Sequence, residues 1–359
     1  MKNFYAAILF LPLFATAQKK VDLDHFRVTV QYRSLPKLKI DSTYHTFNVN
    51  VEGSKLMNAA LKDMDPVNSV KMEGWRKLPE KGHLDVEVKV EDLIPESFSV
   101  KERTENITNR QNQITGTRTF YTQEVVYTFA AKAIITDYHG MHILDQVLAD
   151  RGYKQVYRSP EFPVKGLAEG YFMMNAVSVT SDLYRSCVTR AMHYLSDKLS
   201  ENFGFNEVSV NDNLWVVGTR KHPEYQANRE AVGRISDALF SMSPDQPIDG
   251  VKAQLKPAID YFESIIRNYN STSKHDRKIR YASYYNLAVL YYYLDDPQQM
   301  LKMANALVLN DFDSKDGKAF EQTAVWLRNQ FESTNIYTRH FPVDASHYKG
   351  PYEKDVAKQ

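Results

Sequence analysis

The sequence predicts an α+β protein: an N-terminal antiparallel β-rich, sandwich-like domain followed by a C-terminal α-helical stack. Three observations carry this reading. Apolar and polar residues alternate through much of the stretch from about residue 22 to 165. After Gly170 the apolar spacing lengthens to three and four residues, the period of a helix. The chain has 359 residues, 43% of them hydrophobic, enough for about two domains at ~150 residues each.

The chain opens with Lys2, an apolar run from Phe4 to Phe14, and the small residues Ala15-Thr16-Ala17. A positive start, a short apolar core and a small-residue site make a secretory signal, so residues 1–17 are expected to be cleaved before Gln18. The run is shorter than the roughly 20 residues of a bilayer span. No integral membrane segment is therefore expected after cleavage, and no Cys follows the site to carry a lipid anchor. The expected location is the periplasm, the outer membrane surface or the exterior, and not as a lipoprotein.

Residues 18–170 read as the β-rich domain. Phe26, Val28, Val30 and Tyr32 alternate with polar residues, as do Phe47, Val49 and Val51. Leu84, Val86, Val88 and Val90 alternate with Asp85, Glu87 and Lys89, the cleanest strand signal in the chain. Tyr127, Phe129, Ala131, Ala133 and Ile135 follow, then a turn at Asp137-Tyr138-His139-Gly140. Strands with one apolar face belong to antiparallel sheets covered on one side. Only residues 54–62 look helical here. Residues 101–119, rich in Asn, Thr, Arg and Gln, bury too little to form an element and read as a long exposed loop.

Residues 171–221 read as a helix–strand unit packing on the β domain or bridging from it. Ser181 or Asp182 can cap a helix with the stripe Leu183, Cys187, Ala191, Leu195 and Leu199. A strand over 207–217 follows, with Val208, Val210, Leu214 and Val216. Residues 222–332 are helical, with stripes such as Ala231, Ile235, Ala238 and Leu239, and Phe320, Ala324, Leu327 and Phe331. Pro257 is expected to kink its helix or mark its start. Short breaks at 244–247, 270–274 and 295–297 make successive helices antiparallel neighbours. Residues 333–359 have no period and read as an extended or disordered tail, with Tyr337, Phe341, Tyr348 and Tyr352 spaced along it.

Within the helical run, Tyr284, Leu287-Ala288 and Tyr291, followed by Ala304 and Ala306, resemble a tetratricopeptide repeat. Met300 stands where a small residue is usual, and the second helix is one residue short. The resemblance covers roughly the C-terminal third of the chain and implies a stack with a groove. On the first helix the groove side would carry Ala282, Tyr285, Val289, Tyr292 and Tyr293, a platform for an extended peptide or a sugar. The other reading of these residues is that a neighbouring helix or the β domain covers them.

Signals for catalysis are few. The single cysteine, Cys187, cannot form an internal disulfide and sits on a buried stripe, where thiols are inert. His139-Gly140-Met141-His142 offers two ligands at a turn, short of the three a zinc site needs. His45, His83, His193 and His222 are scattered singly. Nucleophile elbow, phosphate loop, dinucleotide fingerprint and zinc-helix motifs are absent, so no catalytic residue, metal or cofactor is expected. With a net charge of +1, nothing suggests a polyanion such as nucleic acid as the main partner, and none is expected. Gly is scarce at 14 residues and Tyr abundant at 23, a balance favouring contact surfaces over phosphate-cradling loops. Asn106-Ile107-Thr108 and Asn270-Ser271-Thr272 match the N-glycosylation acceptor, and Asp41-Ser42-Thr43 resembles a bacterial O-glycosylation acceptor.

The expected function is that of an exported, non-catalytic binding or assembly scaffold of the bacterial envelope, engaging a protein partner through the helical stack and β domain. The alternative is a carbohydrate- or cell-wall-binding protein, its sandwich domain holding glycan and a carboxylate pair hydrolysing it.

Overall fold

A computed structural model describes residues 21–353. The expected leader, residues 1–17, and the last residues of the tail, 354–359, lie outside the described residues. The first elements are β1 (Leu23–Arg33), β2 (Thr46–Glu52), α1 (Lys55–Ala60), β3 (Arg76–Lys77), β4 (Leu84–Val90), β5 (Ile94–Thr108) and β6 (Ile114–Thr128). Next come β7 (Ala131–Asp137), β8 (His142–Ala149), β9 (Gln155–Arg158), α2 (Lys165–Met174), α3 (Ala176–Phe203) and β10 (Glu207–Val217). Five helices follow: α4 (Tyr225–Phe240), α5 (Asp249–Asn268), α6 (Lys274–Tyr293), α7 (Pro297–Asn310) and α8 (Ser314–Thr334). The α+β class holds, with sheets before a stack of helices.

The chain forms two compact units. Among the described residues the helical unit comprises 21–33 together with 207–342, and the β unit comprises 34–206 together with 343–353. The boundary therefore separates α3 from β10, which the sequence had joined.

In the helical unit, β1 and β10 pair antiparallel, Leu23 opposite Val217 and Arg33 opposite Glu207. This corrects the grouping of the first strand with the others: alternation reveals which face of a strand is buried, not which strand it pairs with. Val28, Val30, Leu214 and Val216 turn toward Val232, Ile235, Leu255, Phe262, Leu287 and Leu290 of the helices. The helix starts are written in the sequence. Ser273 Oγ accepts from the Asp276 N–H, and Asp296 accepts from Gln299 N–H ahead of Pro297 at the first turn. At Gly317 on α8 a Cβ would sit 2.9 Å from the Ala304 carbonyl oxygen of α7, so only glycine permits this close approach. α5 neither starts nor breaks at Pro257. The proline and Ala253, whose carbonyl loses its helical partner, lie on the exposed side, open to solvent.

Over its described part, as far as residue 353, the tail is packed. Arg339 and His340 are buried, and Phe341 N–H bonds the Pro244 carbonyl at 2.8 Å. Farther on, in the β unit, Arg76 donates to the Tyr348 carbonyl at 2.6 Å and pairs with Glu353.

The β unit holds a five-stranded sheet, β3-β2-β4-β7-β8, and a three-stranded one, β5-β6-β9. β2 runs parallel to β3 and β4; the other pairs are antiparallel. Leu84, Val86, Val88, Ala133 and Ile135 share a buried cluster with Met57 of α1 and with Leu183, Cys187, Ala191, Leu195 and Leu199 of α3. Helices thus share the covering layer with Val125 and Tyr127 of β6. Residues 101–119, expected as a loop, are instead the outer arms and turn of the β5–β6 hairpin. Both faces there are exposed, so the alternation that marks half-buried strands never arises.

Candidate functional site

The groove predicted on α6 is packed by the rest of its own unit. Ala282, Val289 and Tyr293 are buried, while Tyr285 and Tyr292 are half-buried. The cover begins with Asn286, whose side-chain amide accepts from the Trp215 N–H and donates to the Trp215 carbonyl, both at 2.8 Å. α6 thereby stands where the next strand would lie beside β10. The Trp215 ring meets Tyr285 edge-on at 6.1 Å. Tyr293 donates to Asp212 Oδ2 at 2.9 Å, its ring 6.2 Å from that of Tyr32. Burial, reinforced by Asp212, holds the Tyr293 phenol far above its ordinary range, and burial pushes Tyr285 up to about 12. Both therefore stay neutral. Tyr292 is closed by the tail, with the Arg339 guanidinium 4.4 Å from its ring centroid and 4.3 Å from that of Tyr32. Val289 and Tyr293 are thus packed within the unit, while Tyr285 and Tyr292 stay half-buried on the expected platform. Helical spacing shows that they share a face but not what covers it.

Other singled-out residues also have local partners. At the β7–β8 turn, where Gly140 has φ +86°, Asp137 Oδ1 accepts from the N–H groups of His139 and Met141. His142 Nε2 lies 2.8 Å from Asp145 Oδ1. Among the described residues no group of three His, Cys, Asp or Glu could hold a metal ion. Cys187 is buried, with Arg190 Nη2 3.4 Å from its sulfur, at a cavity of about 270 Å³ lined by Phe129, Tyr153 and Tyr194 among others. Asp41 Oδ1 accepts from both the backbone N–H and the hydroxyl of Thr43.

Two surfaces escaped the sequence reading. One is a ring cluster in the β unit. Tyr44 stacks on His83 at 5.2 Å, and Tyr138 meets Tyr44, His83 and Tyr352 edge-on at 5.6, 5.7 and 6.2 Å. Tyr352 also lines a cleft of about 590 Å³ with Leu78, Pro79, Glu80, Lys81 and Glu353. These rings are far apart in sequence, so no local pattern marks them.

The other is the β5–β6 arm. Each strand has 15 residues, against four for β9, so support ends near the base. Its turn is closed by Asn109, whose Oδ1 accepts from the N–H groups of Gln111 and Gln113, while Asn112 takes φ 58°. Among the described residues β5 has no strand partner on its outer side. Phe98 (53% exposed), Ile107 and Ile114 are exposed on the hairpin, and Met173 (83%) on α2. The β-branched residues Thr104, Ile107, Thr108, Ile114, Thr115, Thr117 and Thr119 were the available strand signal. Chemically, the edge offers backbone donors and acceptors at regular spacing.

No family model matches this chain, and neither a curated protein nor a solved structure matches it.

Proposed function

We propose that this protein is an exported, non-catalytic binding and assembly protein of the bacterial envelope, and that its contact surface is the β5–β6 arm. The observation that carries the proposal is the arm itself: two long paired strands, exposed on both faces over 101–119, whose outer edge has no strand partner among the described residues. Ordering a residue's backbone costs roughly 1–2 kcal/mol, and an arm that buries little of its own recovers that poorly unless a partner covers it. Strand addition to an open edge is a recurrent mode of protein recognition. The leader-like start of the sequence supports export.

The α6–α7 pair is, on this reading, tetratricopeptide-like. Support comes from Leu287, Ala288 and Ala304, which are fully buried, and from Gly317, which lets α8 close on α7. Its role is structural, since the β1–β10 pair and the tail pack against the face a peptide would use. A second reading, glycan binding, is favoured by the Tyr44–His83–Tyr138–Tyr352 rings and the adjoining cleft.

The test is affinity capture from a native envelope extract with the mature protein, alongside a variant in which residues 101–119 are replaced by Asn-Gly. Stable protein partners lost by the shortened, folded variant are expected. Partners retained by that variant would remove the arm from the reading. Glycan binding without any protein partner would favour the second reading.

A further inference from the structure

We propose that the β5 edge pairs with the β5 edge of a second copy of this chain, antiparallel and centred on Thr104. This joins two three-stranded sheets through their outer strands, and it rests on reading the arm as a contact surface.

Solvent-facing edge strands are normally kept short, kinked or covered, because unpaired backbone groups recruit other strands. In β5 the irregularities fall at Pro95/Ser97 and Ile107/Thr108, leaving a regular stretch between them. A partner strand could lie along that stretch without distortion.

Charge then selects the partner and the register. When two copies of one strand pair about a two-fold axis, opposite residues come from the same sheet face, so the axis passes through a residue. Centring on Lys101, Glu102, Arg103 or Glu105 sets that residue's charge against itself. Centring on Val100 forms no ion pair. Centring on Thr104 sets Thr104 against Thr104, Arg103 against Glu105 twice, and Glu102 against Asn106 twice, with no like charges opposed. It also keeps residues 100–108 within the paired length.

Arg103 already donates through Nη1 to Glu105 of its own strand, so the dimer sets two such pairs side by side, each guanidinium against the other copy's carboxylate. Arg103 Nε and Nη2 donate to Glu161 at 2.9 and 2.8 Å, and its guanidinium lies 5.2 Å from the Phe120 ring centroid. A held side chain loses less freedom on binding than a free one. The antiparallel arrangement also lays the tip of each arm, with Ile107 and Ile114 exposed, toward the base of the other, where Phe98 is exposed.

Opposite residues in an antiparallel pair have Cα atoms about 4.5–5.5 Å apart, inside the range a disulfide spans. Thr104→Cys should therefore give a disulfide-linked dimer under mild oxidation. Val100→Cys should not, because its counterpart is Thr108; nor should the unmodified chain, whose Cys187 is buried. In sedimentation equilibrium Glu105→Arg should weaken the dimer by more than about tenfold, and the swap Arg103→Glu with Glu105→Arg should restore it. A monomeric native chain at its highest soluble concentration, or equal cross-linking at positions 100 and 104, overturns the proposal. A monomer whose arm is still required for partner capture sinks self-pairing and leaves the binding reading standing. A Thr104-centred dimer whose arm is dispensable for capture does the reverse.

Discussion

Arg339 and Asp295 form a buried ion pair, Nε to Oδ1 at 2.6 Å, with side chains only 3% and 1% exposed. Asp295 lies just beyond the end of α6 in the left-handed region, φ 57°, and also accepts from the Arg339 N–H and the Thr338 hydroxyl. The guanidinium donates in turn to the Tyr292 carbonyl at the end of α6. One arginine of the tail thus neutralises a buried carboxylate, caps a helix and closes the face of Tyr292 and Tyr32.

Removing one partner strands the other charge in the interior. Arg339→Ala is expected to cost the helical unit about 3–5 kcal/mol. Urea unfolding followed by tryptophan fluorescence measures this. Asp295→Ala should cost a similar amount and the double variant less than the two together, the mark of coupled residues. Additive losses would mean that the pair acts as two independent groups.

The packed state of the α6 face gives a second expectation. Tyr293→Ser should destabilise by about 3–5 kcal/mol, as for other large-to-small core changes. Asn286→Ala leaves the Trp215 N–H and carbonyl unpartnered and should cost about 2–4 kcal/mol. A loss below about 1 kcal/mol at both positions would reopen this face as a binding platform.

At Gly317 two effects oppose each other. Alanine favours helix by about 1 kcal/mol over glycine, yet its Cβ would meet backbone atoms of α7 at 2.9 Å. Overpacking of this kind costs about 1–3 kcal/mol, so Gly317→Ala should lower the melting temperature. A rise would show that α7 and α8 separate freely.

Acid should weaken the fold through its histidines. Burial holds His45, His83 and His340 below their ordinary range, His45 adding to the effect on His83. The unfolded chain therefore binds these protons first. Stability is full above about pH 6.5, the unfolded value, and falls as pH drops toward the lower native values. Urea midpoints between pH 7.5 and 5 should decline, and His340→Asn should reduce the slope. A midpoint that rises on acidification contradicts the assignment.

Legibility followed burial. Leu84, Val86, Val88 and Val90 alternate because one face of β4 is buried, and all four are core. The α3 stripe from Leu183 to Leu199 was readable for the same reason, at helical spacing. The arm was not, since Glu102, Thr104 and Asn106 bury neither face and leave no alternation to read. Nor was the cover on Tyr293, which depends on Asp212 and Tyr32, far from it in the chain.

By itself the order of residues determined which segments coil, which extend and which side of each seeks an apolar neighbour, because side-chain period and local capping act within a few positions. Only the tertiary structure decided that Leu23–Arg33 pairs with Glu207–Val217, that Arg339 closes over Tyr292, and that β5 has no outer strand partner among the described residues. Partnership between distant segments rests on the free energy of the whole packed arrangement, and no local period encodes it.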